Sequence, residues 1–172
     1  MTRYFMVADL TTLDSRFASN NPSSIDAHAS SHRWRTLIEG HADAEALAVL
    51  MLNSYRGSID DAGETIVEAR SEVAKLLGNE YGMLDRSASL VCDEQGQLAS
   101  ATIITRIRDV PFLAFSMTAP PFKRQGLART GLTRVMTLLA ERGERSLRLM
   151  VTKGNTPAET LYTSLGFVSE KV

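Results

Sequence analysis

Apolar positions along this chain keep two rhythms, and the two alternate. Leu147, Leu149 and Val151 interleave with Arg148, Met150 and Thr152 at the two-residue period of a half-buried strand, whereas Leu132, Val135, Met136 and Leu139 recur at helical spacing. From the start of the chain, the pattern predicts a short strand over 4–7, a strand over 34–38, and a helix over 43–55. That helix carries Leu47, Leu50, Met51 and Ser54 on one face and is ended by Arg56-Gly57-Ser58. A second helix over 61–77 places Ile66, Val73 and Leu77 at helical spacing and stops at Gly78. The runs 87–92 and 98–108 flank Asp-Glu-Gln-Gly-Gln and read as a hairpin, and Arg108-Asp109-Val110-Pro111 turns the chain into a strand over 112–118. The helix that follows is closed by Gly143. After the strand over 147–152, Thr156 as N-cap, Pro157 as first residue and Glu159 as third predict a capping box. The short helix buries Ala158, Leu161 and Leu165, ends at Gly166, and passes to a last strand from Phe167. Alternating strands and helices predict an α/β (α+β) domain over 33–172. Residues 1–32 read as an arm or linker carrying one edge strand, because 18–32 are rich in Ser, Asn and Ala without periodicity.

At 172 residues with 44% hydrophobic and 23% charged positions, the chain can bury a core without disulfides or a structural metal. Cys92 is the only cysteine and sits in an apolar run, which excludes intramolecular disulfides and points to a small core residue. His28, His32 and His41 have no acidic partner at ligand spacing, so no metal site is expected. The longest apolar stretch, 46–52, is far short of the roughly 20 residues that span a bilayer. Asp9 interrupts the first residues before a secretory segment could develop, so a cytoplasmic location is expected. The 19 basic and 20 acidic residues leave no excess to hold nucleic acid. Charge is nevertheless segregated: 60–94 carries nine acidic residues against three basic, and 123–148 seven basic against two acidic. The basic region suits a phosphate-bearing ligand and the acidic one a cationic amine, although solvated helix faces would look the same.

The junction 119–129 carries candidate chemistry. A strand leading through Gly126 into a helix leaves backbone N–H groups aimed at one point, where the helix dipole favours an anion. Gly126 permits close approach, Ala128 is small, and Lys123, Arg124 and Arg129 surround the point with positive charge. A phosphate-loop Gly-Lys-Ser/Thr is absent, and the glycine spacing is not that of a dinucleotide fingerprint.

Lys123-Arg-Gln-Gly-Leu-Ala128 resembles the R/Q-x-x-G-x-G/A pyrophosphate loop of the GNAT superfamily, the acetyl-CoA-dependent N-acyltransferases. Asn155-Thr-Pro-Ala-Glu-Thr-Leu-Tyr-Thr-Ser-Leu-Gly-Phe167 resembles its N-x-x-A-x-x-L-Y-x-x-L-G-F signature. Lys123 and Ala128 depart from the commoner residues. The resemblance covers about 110–168 in motifs and is supported by element order from about 33. It implies a GNAT-type fold, a mixed central β-sheet in which the parallel strands 112–118 and 147–152 splay apart to admit pantetheine. It further implies that backbone groups at Met117, Thr118 and Ala119 pair with pantetheine amides, that Gln125, Gly126, Leu127 and Ala128 cradle the pyrophosphate, that Asn155 lines the cofactor arm, and that Tyr162 is the general acid.

The implied activity is transfer of an acetyl group from acetyl-CoA to a primary amine of a small molecule or protein, by direct attack in a ternary complex. The strand 112–118 holds no acidic residue to act as base, so Asp60, Asp61 and Glu64 are the candidates, with a water chain as the alternative. A non-catalytic CoA-binding module is the rival reading, and Tyr162 and Asn155 also have purely structural readings as a helix aromatic and a turn residue. With so little chain after Phe167, the usual closing strand is expected to be replaced, either by 4–7 of the same chain or by that strand from a partner in a homodimer.

Overall fold

The computed structural model describes residues 2–13, 32–38 and 41–170. The expectation for the arm at 18–31, including His28, lies outside them.

Among the described residues four helices pack on one mixed sheet. Its strands are β1 (Arg3–Asp9), β2 (Arg33–Thr36), β3 (Met83–Leu84), β4 (Leu90–Glu94), β5 (Gln97–Ile107), β6 (Val110–Thr118), β7 (Ser146–Thr152) and β8 (Val168–Ser169). Their order is β2-β4-β5-β6-β7-β1-β8, with β3 also paired to β5. Helices α1 (Ala44–Tyr55) and α2 (Ile66–Leu77) cover one face, burying Leu47, Leu50, Val73 and Leu76 against Ile103 and Met117. Helices α3 (Leu127–Glu141) and α4 (Thr156–Ser164) cover the other, where Leu132, Val135, Met136 and Leu139 meet Ile104, Leu113, Leu147 and Leu149.

Three local expectations shift. α2 begins at Ile66 rather than at 61, because Gly63 takes φ +80° and Thr65 with Glu68 forms the capping box that starts the helix. β4 begins at Leu90, since the backbone N–H groups of Ala88 and Ser89 bond to the carbonyls of Asp85 and Arg86 in a turn. At α4 the N-cap is Asn155, whose side chain accepts from the Ala158 N–H, and Glu159 instead accepts from the Gly154 N–H.

The N-terminal strand enters the sheet interior. β1 runs antiparallel to β7 from Arg3↔Thr152 to Asp9↔Ser146, and its other side takes the two-residue β8 at Met6↔Ser169 and Val7↔Val168. The expected strand at 4–7 is therefore longer, and within one chain it supplies the missing pairing. Met6, Ala8, Leu10 and Leu13 are buried beneath it.

Among the described residues β6 and β7 form the single parallel pair, and they stay together only at Phe112↔Arg148 and Leu113↔Leu149. Opposite β5, the register jumps from Ile103↔Phe115 to Ile104↔Leu113, which leaves Ala114 as an extra residue in β6. A bulge of this kind bends its strand. From Ala114 onward β6 leaves β7, and the gap between them opens toward Thr118 and Thr152.

Candidate functional site

The phosphate-type junction lies at one end of this gap. After the 3-10 turn Pro120–Phe122, Arg124 takes φ +66° and Gly126 φ +80°, which swings the chain into α3. Gly126 provides no side-chain cap, and the first bond back into the helix is Thr130 N–H to Gly126 O, at 2.9 Å. The amides of Leu127, Ala128 and Arg129 thus have no acceptor inside the helix. A Cβ built on Gly126 would meet nothing within 4 Å, so no protein group demands glycine by contact. The space beside it is open to a ligand. The basic residues divide: Lys123 Nζ donates to the Ser54 carbonyl at 2.9 Å and ties the loop to α1, Arg129 donates to Ser164 Oγ at 2.7 Å, and Arg124 is exposed. Gln125 donates to Pro121 O and braces the loop.

Along the gap, the Ala119 N–H donates to Ala99 O, and Met117 O accepts from Ser100 Oγ. The backbone groups of Met117 and Ala119 therefore face β5. By strand alternation those of Ser116 and Thr118 face the gap. Of the three positions expected to offer backbone groups, the structure turns Thr118 to the gap and adds Ser116.

At the far end, four segments converge. Asp60, from the loop between α1 and α2, accepts from Thr152 Oγ1 at 2.5 Å and from Asn155 Nδ2 at 2.9 Å. Asn155 meanwhile caps α4 through its Oδ1, so one side chain fixes both the helix start and the carboxylate. Tyr162 of α4 is buried from the opposite face of the sheet. Burial pushes its phenol up to about 12; the neighbouring Ser116 hydroxyl pulls the other way, and the negative charge of Asp60 adds to the rise. Tyr55, at the end of α1, is also raised, by burial first and then by the charges of Tyr162 and Asp60. Asp60 and Tyr162 thus approach one gap from its two sides.

The other acidic candidates face elsewhere. Asp61 accepts from the Gly57 and Gly63 N–H groups, which hold its carboxyl below the usual range, and Glu64 accepts from the Ala62 N–H. Both shape the loop that presents Asp60. Sequence reasoning missed Tyr55, Ser116 and Thr152. The only signal for Thr152 was its place on the non-core face of a strand, and Asp60 reaches it across 92 positions.

Cys92 is buried, and burial lifts its thiol to about 11, with Asp93 and Glu94 adding to the effect. His32 does find an acidic partner, Glu94 at 2.8 Å, through the pairing of β2 with β4. Among the described residues no group of three or more His, Cys, Asp or Glu is placed to hold a metal ion, and no helix is long and apolar enough to cross a membrane.

A family model described as acetyltransferase (GNAT) matches residues 45–167. Among curated proteins none matches the sequence. Solved structures share the fold. A GCN5-related N-acetyltransferase from Sphaerobacter thermophilus superposes at TM-score 0.68 with 17% identity, over 98% of this chain and 48% of that one, so the chain spans about half of its length. The PaiA N-acetyltransferase of Thermoplasma acidophilum, in complex with coenzyme A, gives 0.68 and 19% over 83% and 93% of the two chains. The ribosomal-protein-S18-alanine N-acetyltransferase of Escherichia coli gives 0.60 and 21% over 81% and 79%.

Proposed function

The chain belongs to the GNAT acetyltransferase family, and on that premise we propose that it transfers the acetyl group of acetyl-CoA to a primary amine held beside Asp60. One observation carries this reading: a carboxylate and a buried phenol reach the splay between β6 and β7 from opposite faces of the sheet.

The residues present fit coenzyme A. The free amides of Leu127, Ala128 and Arg129, the open space at Gly126 and the exposed Arg124 suit its pyrophosphate. The backbone groups of Ser116 and Thr118 suit its amide-bearing arm. When bound, acetyl-CoA supplies an acyl group already activated as a thioester. A coenzyme A complex of a protein with the same fold supports this assignment.

An alkylamine with a pKa of about 10 arrives as an ammonium. Asp60, oriented by Thr152 and Asn155, accepts its hydrogen bond and takes the proton to solvent, which leaves a nucleophilic nitrogen in the gap. A gap-facing amide of β6 donates to the carbonyl oxygen as negative charge grows there. Tyr162 is protonated at neutral pH, as an ordinary phenol is, and burial raises it further. The same rise makes it a weak acid, so its main role is to donate a hydrogen bond to the departing sulfur.

Free-thiol release from acetyl-CoA across a panel of amines tests the proposal. Turnover is expected in the parent protein, with Asp60→Asn lowering kcat/KM by about 10²–10⁴ at unchanged coenzyme A affinity. Coenzyme A binding without thiol release for any amine would favour the non-catalytic module.

A further inference from the structure

Among the described residues, only half of the sheet face that carries Asp60 is covered. α1 and α2 lie over β5 and β6. Beyond them Met150 of β7 and Phe5 of β1 are 43% and 45% exposed. The two are cross-strand partners, and the Phe112 ring meets Phe5 edge-on with centroids 6.5 Å apart. Three adjacent strands thus build one apolar shelf.

Its position relative to Asp60 is informative. Thr152, which donates to Asp60, lies two residues beyond Met150 on the same strand face, about 7 Å away. The partner of Thr152 across the ladder is Arg3. Arg3 is exposed, makes no ion pair among the described residues, and its charge reaches the half-buried Tyr55 phenol. Arg148, also on this face, is already bound to Glu170 at 2.6 Å. An anion, a cation with no ion pair among the described residues, and an apolar surface one strand repeat away therefore surround a single point. That arrangement complements a molecule with an amine and a carboxylate on one carbon and a bulky apolar group one carbon further on.

Resting on the acetyl-transfer reading of the cleft, we infer that the acceptor is a free α-amino acid with an aromatic or large aliphatic side chain, acetylated on its α-nitrogen. Its ammonium meets Asp60, its carboxylate meets Arg3, and its side chain lies on Phe5 and Met150. The nitrogen forms the new C–N bond as the thioester C–S bond breaks. One ammonium proton leaves through Asp60 to solvent, and the second ends on the sulfur of coenzyme A.

The test pairs thiol release with calorimetry, using L-phenylalanine, glycine, phenethylamine and L-phenylalaninamide, with coenzyme A present in the binding arm. L-Phenylalanine is expected to exceed each of the others by about tenfold or more in kcat/KM and in affinity. Arg3→Gln should collapse its advantage over phenethylamine, and Phe5→Ser or Met150→Ser its advantage over glycine. Equal use of all four, or variants that melt like the parent and keep the parent's preferences, overturns the inference. Phenylalaninamide matching phenylalanine overturns it in favour of a peptide amine. A dimer that Phe5→Ser dissociates overturns it in favour of an interface. If no amine is turned over and phenylalanine still binds with the stated dependence on Arg3 and Phe5, the amino-acid site stands, while its acetylation and the acetyl-transfer reading are both overturned.

Discussion

Deleting residues 1–13 should remove the fold as well as a strand. Met6, Leu10 and Leu13 are 3%, 3% and 6% exposed. At about 1.5–3 kcal/mol per fully buried side chain, these three contribute roughly 5–9 kcal/mol. The deletion also strips β7 of its seven-residue antiparallel ladder and takes from β8 its partner strand. Domains of this size are stable by about 5–15 kcal/mol, so the loss is comparable to the whole margin. The truncated chain should show no cooperative melting transition by calorimetry, and a synthetic peptide of residues 1–13 added in trans should restore one. Met6→Ala is the graded version. It should cost about 2–5 kcal/mol and lower Tm by roughly 5–15 °C. A truncated chain that melts cooperatively within a few degrees of the parent would show that β1 adds nothing to the sheet, and the reasoning would fail.

Tyr162→Phe keeps the ring and deletes the donor, so kcat should fall by about 10² with coenzyme A affinity unchanged by calorimetry; equal rates would remove the phenol from the chemistry. Gly126→Val forces a β-branched residue to φ +80° and fills the space beside the bare amides, so coenzyme A affinity should fall at least about tenfold while Tm drops by only a few degrees. Gly131→Ala should destabilise by about 1–3 kcal/mol in urea titration, because its Cβ would lie 2.6 Å from Thr102 Oγ1 and 2.8 Å from the Trp34 ring. Burial pushes the Asp85 carboxyl up, but the Ser87 hydroxyl, the Ala88 N–H and Arg106 outweigh it and hold the group below its usual value. Its stabilising contribution is present above the unfolded pKa of about 3.9 and is lost as pH falls through the folded value, so Asp85→Asn should flatten the acid limb of a stability–pH profile.

What was legible in the sequence depended on how local the determining interactions are. The hairpins β4-β5 and β5-β6 follow from alternation and turn residues alone, and α3 from its apolar stripe, so these elements matched within a few residues. α2 starts at Ile66 rather than at 61, because Asp60, Asp61 and Glu64 are not in the helix. In the fold they belong to a loop in which Gly63 adopts a left-handed backbone, and only Thr65 with Glu68 caps the helix. At α4, Thr156 and Asn155 are both good caps by type, and the choice fell to Asn155 because its amide also reaches Asp60. The candidate phosphate junction at Gly126 could be found because consecutive backbone amides carry its chemistry. At the far end of the gap Asp60, Asn155 and Tyr162 were candidates by residue type, but their meeting with Thr152 was not legible, because the four are joined only when the sheet closes.

The threading of β1 bears on that closure. The gap needs β6 and β7 to part, and a strand that parts from one neighbour must be held firmly by the other. β1 holds β7 along its full length, from Ser146 to Thr152, whereas β6 holds it at two positions. Tyr4 reinforces the grip by donating to Glu159, whose same oxygen accepts from the Gly154 N–H at the turn leading to Asn155. The strand that seals the sheet thereby also steadies the turn presenting Asn155 to Asp60, and its first residue places Arg3 opposite Thr152. Sheet closure and assembly of the cluster around Asp60 are one structural event. With β1 unpaired, β7 loses its seven-residue ladder, and the geometry around Asp60 goes with the sheet.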